Sequence, residues 1–287
     1  MNTISKAILF GGKAIVTALD TKDMVQKAID LHKTSDLASC VLGRMLTMTT
    51  FMSSGFKSEQ NKLSVGIDTS AIAGRVIVSS EYGGNVRGYI ENKDIMLPLV
   101  NGKQDIIGAI GKEGILTVIK DFNMKEPYNC KSGLLRGDIA SDFAFYFTMS
   151  EQLPTAISLA VDVKDGKCLA SGGIIVQPMP NCDEGILVVL EDIVNNFKDY
   201  EKLLTKFSTE EIIDQNFGHF EIKFLPQLHP EYKCRCSKES IKNLICGLGK
   251  KEAYSILEEQ GKIEVLCQYC SANYTFNKED IDDIFAK

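Results

Sequence analysis

The spacing of apolar residues divides the first part of the chain into strands and helices. Apolar and β-branched residues fill Ile4–Leu9 and Ala14–Asp20 on either side of Gly11-Gly12, which predicts a β-hairpin. Helical spacing follows over Thr21–His32. A second helix, predicted over Asp36–Met52, is apolar on most sides, and a helix of that kind is expected to lie deep in a core.

The middle of the chain favours strands, with one further helix. Four short β-rich segments separated by Gly, Asn and Ser are predicted strands: Leu63–Ile67, Arg75–Ser79, Val86–Ile90 and Ile115–Lys120. The aromatic-rich stretch Ile139–Gln152 predicts a helix with Asp138 as its N-cap. Ala156–Val163 and Leu169–Gln177 then predict a strand pair around a turn at Asp165-Gly166.

Short amphipathic helices follow a proline-rich turn after this strand pair. Gly185–Phe197 and Lys198–Phe207 are predicted helical segments, and Ser208 with Glu211 forms a capping box for a third helix that ends at Gly218. Helices this short are unstable alone in water, so they need a surface to pack on. This region is therefore predicted to be stable only while its neighbours hold it.

The last segment has a thin predicted core. Lys262–Leu266 is a predicted strand, and Asn277 is expected to cap a final helix through Phe285. Two helical stripes that end at glycines precede them: Ile241, Leu244, Ile245 and Leu248, and then Ala253, Ile256 and Leu257. A unit of about 55 residues with so few apolar positions is expected to depend on a bound metal.

Together these elements predict a mixed α+β protein with three parts. An N-terminal strand-rich α/β core domain spans residues 1–180, a helical linker spans 181–231, and a small C-terminal metal-binding α+β domain spans 232–287.

Composition narrows the function classes. The chain has 287 residues, 44% hydrophobic and 24% charged, which is ordinary for a globular protein large enough for two domains. The net charge of −6 argues against nucleic acid as the main partner.

No apolar run approaches about 18 residues and no apolar core precedes Lys13, so neither a membrane span nor a signal peptide is expected. Nine cysteines, an odd number, fit a reducing cytosol better than a secreted disulfide framework.

Glycine-rich stretches do not predict nucleotide binding. None of the six Gly-Lys dipeptides is followed by Ser or Thr, so the Walker pattern is absent and no ATP site is expected. No nucleophile–base pairing is recognisable either, which favours a binding protein over an enzyme.

Two close cysteine pairs near the end of the chain are the strongest chemical signal. Cys234-Arg235-Cys236 is followed, after thirty residues, by Cys267-Gln268-Tyr269-Cys270. Two tight pairs joined by a foldable span predict a closed site of four thiolates around one Zn²⁺. His229 is a weaker alternative ligand, and Cys246 is expected to be structural.

The same spacing predicts a reversible redox switch. Thiolates held by zinc are the form that oxidants attack, and the near neighbours are the natural disulfide partners, Cys234 with Cys236 and Cys267 with Cys270. Residues two apart in an extended chain are separated by about 6.6 Å, so a Cys234–Cys236 bridge is expected to be strained and readily reduced.

The chain resembles the thirty-three-kilodalton heat-shock protein family, a family of redox-switched bacterial holdase chaperones. The four cysteines match that family's hallmark pattern. The resemblance implies a cytoplasmic protein that is inactive when reduced and zinc-bound. Oxidation would form both disulfides, release zinc and loosen the linker, and the active form, often a homodimer, would hold unfolded client proteins without ATP. Shorter matching blocks fall in the family's order: Leu42-Gly43-Arg44, Val86-Arg87-Gly88-Tyr89, Gly137-Asp138-Ile139-Ala140, Ser150-Glu151-Gln152-Leu153-Pro154-Thr155-Ala156, Gly172-Gly173 and Gln177-Pro178-Met179-Pro180.

Two other function classes are open. A zinc-ribbon nucleic-acid-binding protein with a passive structural metal is favoured by lysines around the cysteine pairs and disfavoured by the acidic net charge. A hydrolase or transferase with an appended zinc module lacks a recognisable catalytic set.

Overall fold

Two five-stranded antiparallel sheets build the first of two structural units, residues 1–232. The structure is a computed structural model that describes residues 1–180, 182–195, 197 and 199–286. In spatial order the first sheet contains β10 (Ile222–Phe224), β1 (Thr3–Leu9), β2 (Ala14–Asp20), β9 (Lys167–Pro178) and β8 (Ala156–Lys164). The second contains β5 (Val86–Ile90), β4 (Val76–Glu81), β3 (Lys62–Thr69), β6 (Gly114–Asp121) and β7 (Tyr128–Gly133). The α+β class is confirmed.

Both predicted strand pairs of the first sheet are confirmed. β1 pairs with β2 so that Ala7 faces Val16 across the hairpin. β8 pairs with β9 around Asp165 and Gly166, which have φ of 51° and 73°. Positive φ at both central residues is what a two-residue turn requires if it is to follow the twist of its strands, and Gly166 adopts it without steric cost.

The long apolar helix is buried as predicted. The first unit has helices α1 (Lys22–His32), α2 (Asp36–Ser53), α3 (Ile106–Ile110) and α4 (Ala140–Ser150), and a 3₁₀ turn at Tyr82–Gly84. α2 shares one core cluster with the inner face of the second sheet and with residues of the first, which explains why it is apolar nearly all round. Gly43 permits this packing, because a Cβ there would lie 3.0 Å from Val161.

Helix α4 begins one residue later than predicted. Its N-cap is Ile139, at φ 71°, and the predicted cap Asp138 lies just before it. Asp138 still accepts the backbone N–H of Ser141 at 2.7 Å. The buried Asp142 carboxylate stabilises the loop that leads into this helix, where Ile139 has a strained backbone conformation. It accepts four backbone N–H groups at 2.8–3.1 Å, those of Leu135, Arg136, Gly137 and Ile139.

Three short helices of the predicted linker pack within the first unit. These are α5 (Glu184–Asn195), α6 (Tyr200–Leu204) and α7 (Thr209–Phe217), and the predicted Ser208–Glu211 capping box is present at α7. α6 is shorter than the predicted Lys198–Phe207 segment, and Lys198 lies outside the described residues, as do the linker's first residue, Asn181, and the terminal Lys287. The division of the chain at 180 and 231 stays a prediction.

Three elements were missed by the sequence patterns. α3 lies in the glycine series that was interpreted only as turns, and it is five residues long. β7 is a mostly exposed edge strand with polar residues on both faces, so it has no hydrophobic alternation. The third, β12 (Asn273–Phe276), is four residues long.

The second unit, residues 233–287, folds around seven buried residues. It contains α8 (Lys238–Leu248), α9 (Lys250–Gln260), β11 (Ile263–Leu266), β12 and α10 (Lys278–Phe285), with Asn277 capping α10 as predicted. The predicted α8 stripe is wrong in part: Ile241 and Ile245 are buried, but Leu244 and Leu248 are 64% and 56% exposed. Across the described parts of both units, no helix has the length and apolar character needed to cross a membrane.

We predict that Asp142→Asn destabilises the first unit by about 1–3 kcal/mol, because an amide NH₂ would face backbone N–H donors that the carboxylate now satisfies. Urea denaturation of the reduced protein, followed by circular dichroism, measures the change. Asp94→Asn, the same substitution in an exposed turn, is the control. Equal midpoints for both variants would show that the carboxylate does not stabilise this turn.

Candidate metal centre

Two backbone segments of the second unit present the four predicted cysteines. Cys234 and Cys236 lie in the extended segment just before α8, and Cys267 and Cys270 lie in the turn that joins β11 to β12. That turn is tight: the N–H of Ser271 donates to the carbonyl of Cys267 at 2.8 Å, and the N–H of Cys267 donates to Ala272 at 2.9 Å. The β11–β12 pairing therefore holds one thiol pair in place opposite the other.

The four thiols lie together with the spacing of a closed metal site. Their sulfurs are all within 4.8 Å of one another, and all four residues are half-buried. The Sγ atoms of Cys234 and Cys267 are 3.7 Å apart, and those of Cys236 and Cys270 are 3.3 Å apart. Four sulfurs about 2.3 Å from one tetrahedral zinc would be separated by about 3.8 Å. The arrangement thus fits a four-thiolate metal ion.

Tyr274 adds a hydrogen bond that the sequence analysis did not predict. Its hydroxyl, on β12, donates to the sulfur of Cys236 at 3.2 Å. Burial raises the pKa of Cys236, but the bonds from Tyr274 and the neighbouring thiols outweigh it, and the pKa falls to about 7. Burial raises the pKa of Cys270 and of Cys234. Of these three thiols, that of Cys236 therefore loses its proton most readily.

The remaining candidates lie elsewhere. Among the described residues, the four cysteines are the one group of three or more metal-ligating side chains close enough to share an ion. His229, the alternative ligand, is in the first unit, where its Nδ1 is 3.2 Å from the carbonyl of Asn2. Cys246 is exposed on α8. Burial raises the pKa of both Cys40 and Cys168 to about 12, which leaves these core thiols unreactive.

Tyr274 was overlooked because its strand was overlooked. A tyrosine four residues after the last cysteine of a pair has no local signature. Only the pairing of Tyr274 with Val265 on β11 places its hydroxyl beside Cys236.

Comparison with known proteins gives one consistent result. A family model described as "Hsp33 protein" matches residues 2–277. The 33 kDa chaperonin of Clostridium tetani is 38% identical over 282 residues, covering 97% of this chain and 96% of the relative. That of Caldanaerobacter subterraneus subsp. tengcongensis is 35% identical over 284 residues, covering 98% and 97%.

A solved structure agrees across both units. The crystal structure of the 33 kDa chaperonin, a heat shock protein 33 homologue, from Thermotoga maritima superposes with a TM-score of 0.91 at 30% identity. It covers 99% of this chain, and the match covers 97% of that chain. With its fold, its four clustered thiols and these matches over nearly its full length, the chain belongs to the Hsp33 protein family.

Proposed function

We propose that this chain is a redox-regulated chaperone, an ATP-independent holdase of the cytoplasm that keeps unfolding or oxidatively damaged proteins from aggregating. The relatives are named chaperonins, which favours binding of unfolded client proteins over enzymatic activity. The observation that carries the proposal is the position of the linker helices, because they cover an apolar sheet face.

That face belongs to the first sheet. Successive residues of β9 point to opposite sides, so Ile175 joins the core around α2 while Ile174 and Val176 join a second cluster. The sheet side of the second cluster also includes Ala7, Leu9, Ala14, Val16, Ala18 and Ala160, of which four are alanines. Its cover comes from the linker: Leu190, Val194, Phe197, Tyr200, Ile212, Ile213 and Phe217. Release of the linker would therefore uncover an apolar surface of the kind that binds unfolded segments.

The second unit would supply the trigger. We infer that Cys234, Cys236, Cys267 and Cys270 hold one Zn²⁺, which closes the site and stabilises a unit with only seven buried core residues. Metal binding in such small units supplies on the order of 10 kcal/mol of folding free energy. Loss of the ion would therefore unfold this unit.

Oxidation would remove the ion. Two equivalents of a two-electron oxidant such as hydrogen peroxide, reduced to water, would convert the four thiols to the disulfides Cys234–Cys236 and Cys267–Cys270. Disulfide sulfurs are poor zinc ligands, so the metal would leave. We infer that unfolding of the second unit weakens the hold of the linker on the sheet face, because the linker is joined to that unit in sequence. Once they leave the face, the linker helices are too short to remain folded.

Other partners follow from the same proposal. The active form is proposed to be a homodimer that needs no ATP, membrane or nucleic acid. The alternative, a zinc-ribbon nucleic-acid-binding protein, draws on the lysines of the second unit. Two of these are in ion pairs, Lys238 with Asp280 at 3.0 Å and Lys262 with Glu264 at 2.8 Å, which weakens that alternative.

We predict one zinc per chain in the reduced protein, lost in Cys267→Ser plus Cys270→Ser. Removing two of four thiolates leaves too few ligands for a closed site. Metal analysis of purified reduced protein measures the stoichiometry, with Cys246→Ser as the control for losing an exposed thiol of the same unit. An unchanged metal content in the double variant would contradict the assignment.

Mild peroxide treatment is predicted to link Cys234 to Cys236 and Cys267 to Cys270, while Cys40, Cys130 and Cys168 stay reduced. Burial keeps the thiols of Cys40 and Cys168 protonated. Peptide mapping by mass spectrometry identifies the bridges. The short Sγ distances between the pairs define the competing outcome, Cys234–Cys267 with Cys236–Cys270. If those crossed bridges dominate, the proposed pairing is wrong.

Holdase activity is predicted to appear on oxidation and also on loosening of the linker. Leu190→Ala should create a cavity in the covered face, at a cost of about 2–5 kcal/mol, and should give the reduced zinc-bound protein partial activity. Light scattering of an unfolding client, with and without ATP, measures this. Val188→Ala on the same helix, where the side chain is 66% exposed, is the matched control.

Three results would count against this scheme. Equal suppression of aggregation by the reduced and oxidised wild-type chains would make the thiol site purely structural. A requirement for ATP would exclude a holdase. An inactive reduced Leu190→Ala protein with a demonstrably loosened linker would place the client surface elsewhere.

A further inference from the structure

Tyr274 connects the small core of the second unit to the thiol cluster. Its ring packs against the buried core residues, and Phe276, two residues further along β12 on the same face of the strand, is fully buried. Pairing with Val265 on β11 fixes the register of Tyr274. Its hydroxyl reaches the sulfur of Cys236, to which it donates at 3.2 Å. One sulfur of the cluster is therefore in contact with a hydroxyl that the sheet and the core hold in place.

This hydrogen bond acts on Cys236 from outside the thiol cluster. The sulfur–sulfur distances of 3.7 Å and 3.3 Å across the cluster describe contacts among the thiols themselves, whereas the Tyr274 hydroxyl comes from a different side chain. A thiolate that binds a metal ion through one lone pair has others that can accept a hydrogen bond. Bonds of this kind tune the properties of metal-bound sulfur. Tyr274 is therefore placed to tune one of the four ligands.

Oxidation of a thiol pair begins with a lone pair on one sulfur. A thiolate sulfur attacks one oxygen of hydrogen peroxide, so that an S–O bond forms, the O–O bond breaks and hydroxide leaves. The second thiolate of the pair then attacks that sulfur, so that the S–S bond forms, the S–O bond breaks and another hydroxide leaves. Each hydroxide takes up a proton to become water, and two electrons have passed from the sulfurs to the peroxide. The first attack depends on how available the sulfur lone pair is.

A donated hydrogen bond makes that lone pair less available. The bond from Tyr274 is strongest while the Cys236 sulfur carries its full negative charge, and it weakens as charge moves onto the departing oxygen. It therefore stabilises the starting state more than the transition state, which raises the barrier to attack. Sulfurs that hold a metal ion are all thiolates, so ease of deprotonation no longer distinguishes them. The availability of the lone pair remains as a difference between them.

We propose that Tyr274 is a positioning residue of the thiol cluster that protects Cys236 from oxidants, so that the pair Cys234–Cys236 is oxidised more slowly than it would be without the hydroxyl. The proposal rests on the proposed function, in which a metal ion holds the four thiolates and peroxide oxidises them. It adds to that function a side chain that sets how much oxidant this pair withstands.

The first experiment measures the reactivity of the sulfur directly and needs no oxidant. Full-length, reduced, zinc-loaded protein is treated with limiting iodoacetamide, and peptide mapping gives the initial alkylation rate at each cysteine. In Tyr274→Phe the rate at Cys236, divided by that at Cys267 in the same sample, should rise about three- to tenfold, because a hydrogen bond to a charged sulfur is lost.

Tyr254→Phe is the matched control for this ratio. The Tyr254 ring packs against the same core, but its hydroxyl donates to the Asp282 carboxylate, so the control removes a hydroxyl of the same unit away from the thiols. Its ratio should equal that of wild type. A merely structural role of Tyr274 would speed alkylation at all four thiols and leave the ratio unchanged. That result, or an unchanged rate at Cys236, would overturn the proposal.

The spectrum of the Co²⁺-substituted protein gives an independent measurement. Loss of the hydrogen bond in Tyr274→Phe raises the energy of the sulfur lone pair, so the sulfur-to-cobalt charge-transfer band should move to longer wavelength. The d–d bands of the tetrahedral ion should stay in place, because the four ligands are unchanged. A charge-transfer band at the wild-type position would count against a hydrogen bond that tunes the sulfur.

The second experiment connects this reactivity to the redox switch. Zinc-loaded wild type and Tyr274→Phe receive less peroxide than is needed for one disulfide per chain, and the remaining thiols are alkylated and mapped. The yield of the Cys234–Cys236 bridge relative to the Cys267–Cys270 bridge should rise about twofold in the variant, since one of the two sulfurs of the first pair becomes more reactive. The Tyr254→Phe ratio should match wild type.

The outcomes distinguish this proposal from the proposed function. An equal bridge ratio in wild type and Tyr274→Phe would overturn the protective role of the hydroxyl, even where both proteins lose zinc to peroxide. If peroxide forms neither bridge in either protein, the proposed function is contradicted, and the alkylation ratio alone decides whether Tyr274 tunes Cys236.

Discussion

The first sheet is apolar on both faces, and other parts of the first unit cover them. Its strands alternate residues between two clusters, and one cluster is filled by α2, a helix apolar on nearly all sides. The other is covered by three short helices that belong to a different stretch of the chain. Burying this second face is what stabilises those helices, since at 12, 5 and 9 residues they are too short to persist alone.

This dependence runs in both directions, because the sheet face and the helices bury each other. Four of the buried residues on the sheet side of this cluster are alanines, Ala7, Ala14, Ala18 and Ala160, so much of this face has little side-chain bulk. α5 also leaves Val188 and Val189 exposed on its outer side. A surface that binds amphipathic helices through non-directional apolar contact can exchange them for other apolar segments. The pairing of Lys103 with Asp199 and Glu201 adds a directional contact at one end of the cover.

The second unit, unlike the first, has little apolar burial. Seven buried residues form its core, and four half-buried thiols converge where two chain segments meet. A unit with so little apolar burial depends on local interactions for stability. These are the capping boxes of α8 and α10, a two-stranded sheet and the thiol cluster. Metal binding or oxidation at these sulfurs can therefore change the stability of the whole unit. Cys40 differs, because burial in the core raises its pKa and keeps its thiol protonated.

Elements with strong local signals could be predicted from the sequence alone. The hairpin, the buried α2, the Ser208–Glu211 capping box and the Asn277 cap follow from periodicity and from side-chain chemistry within a few residues. The four cysteines could also be singled out from the sequence, because the ligands of structural zinc sites typically come in two close pairs. Tertiary structure sets the features that depend on residues far apart in the sequence. It buried Ile241 and Ile245 while leaving Leu244 and Leu248 exposed, brought Tyr274 to Cys236 across a sheet, and placed Lys103 against Glu201. Local spacing specifies a helix face or a strand face, but only the packing of distant segments selects which face is covered and which charges meet.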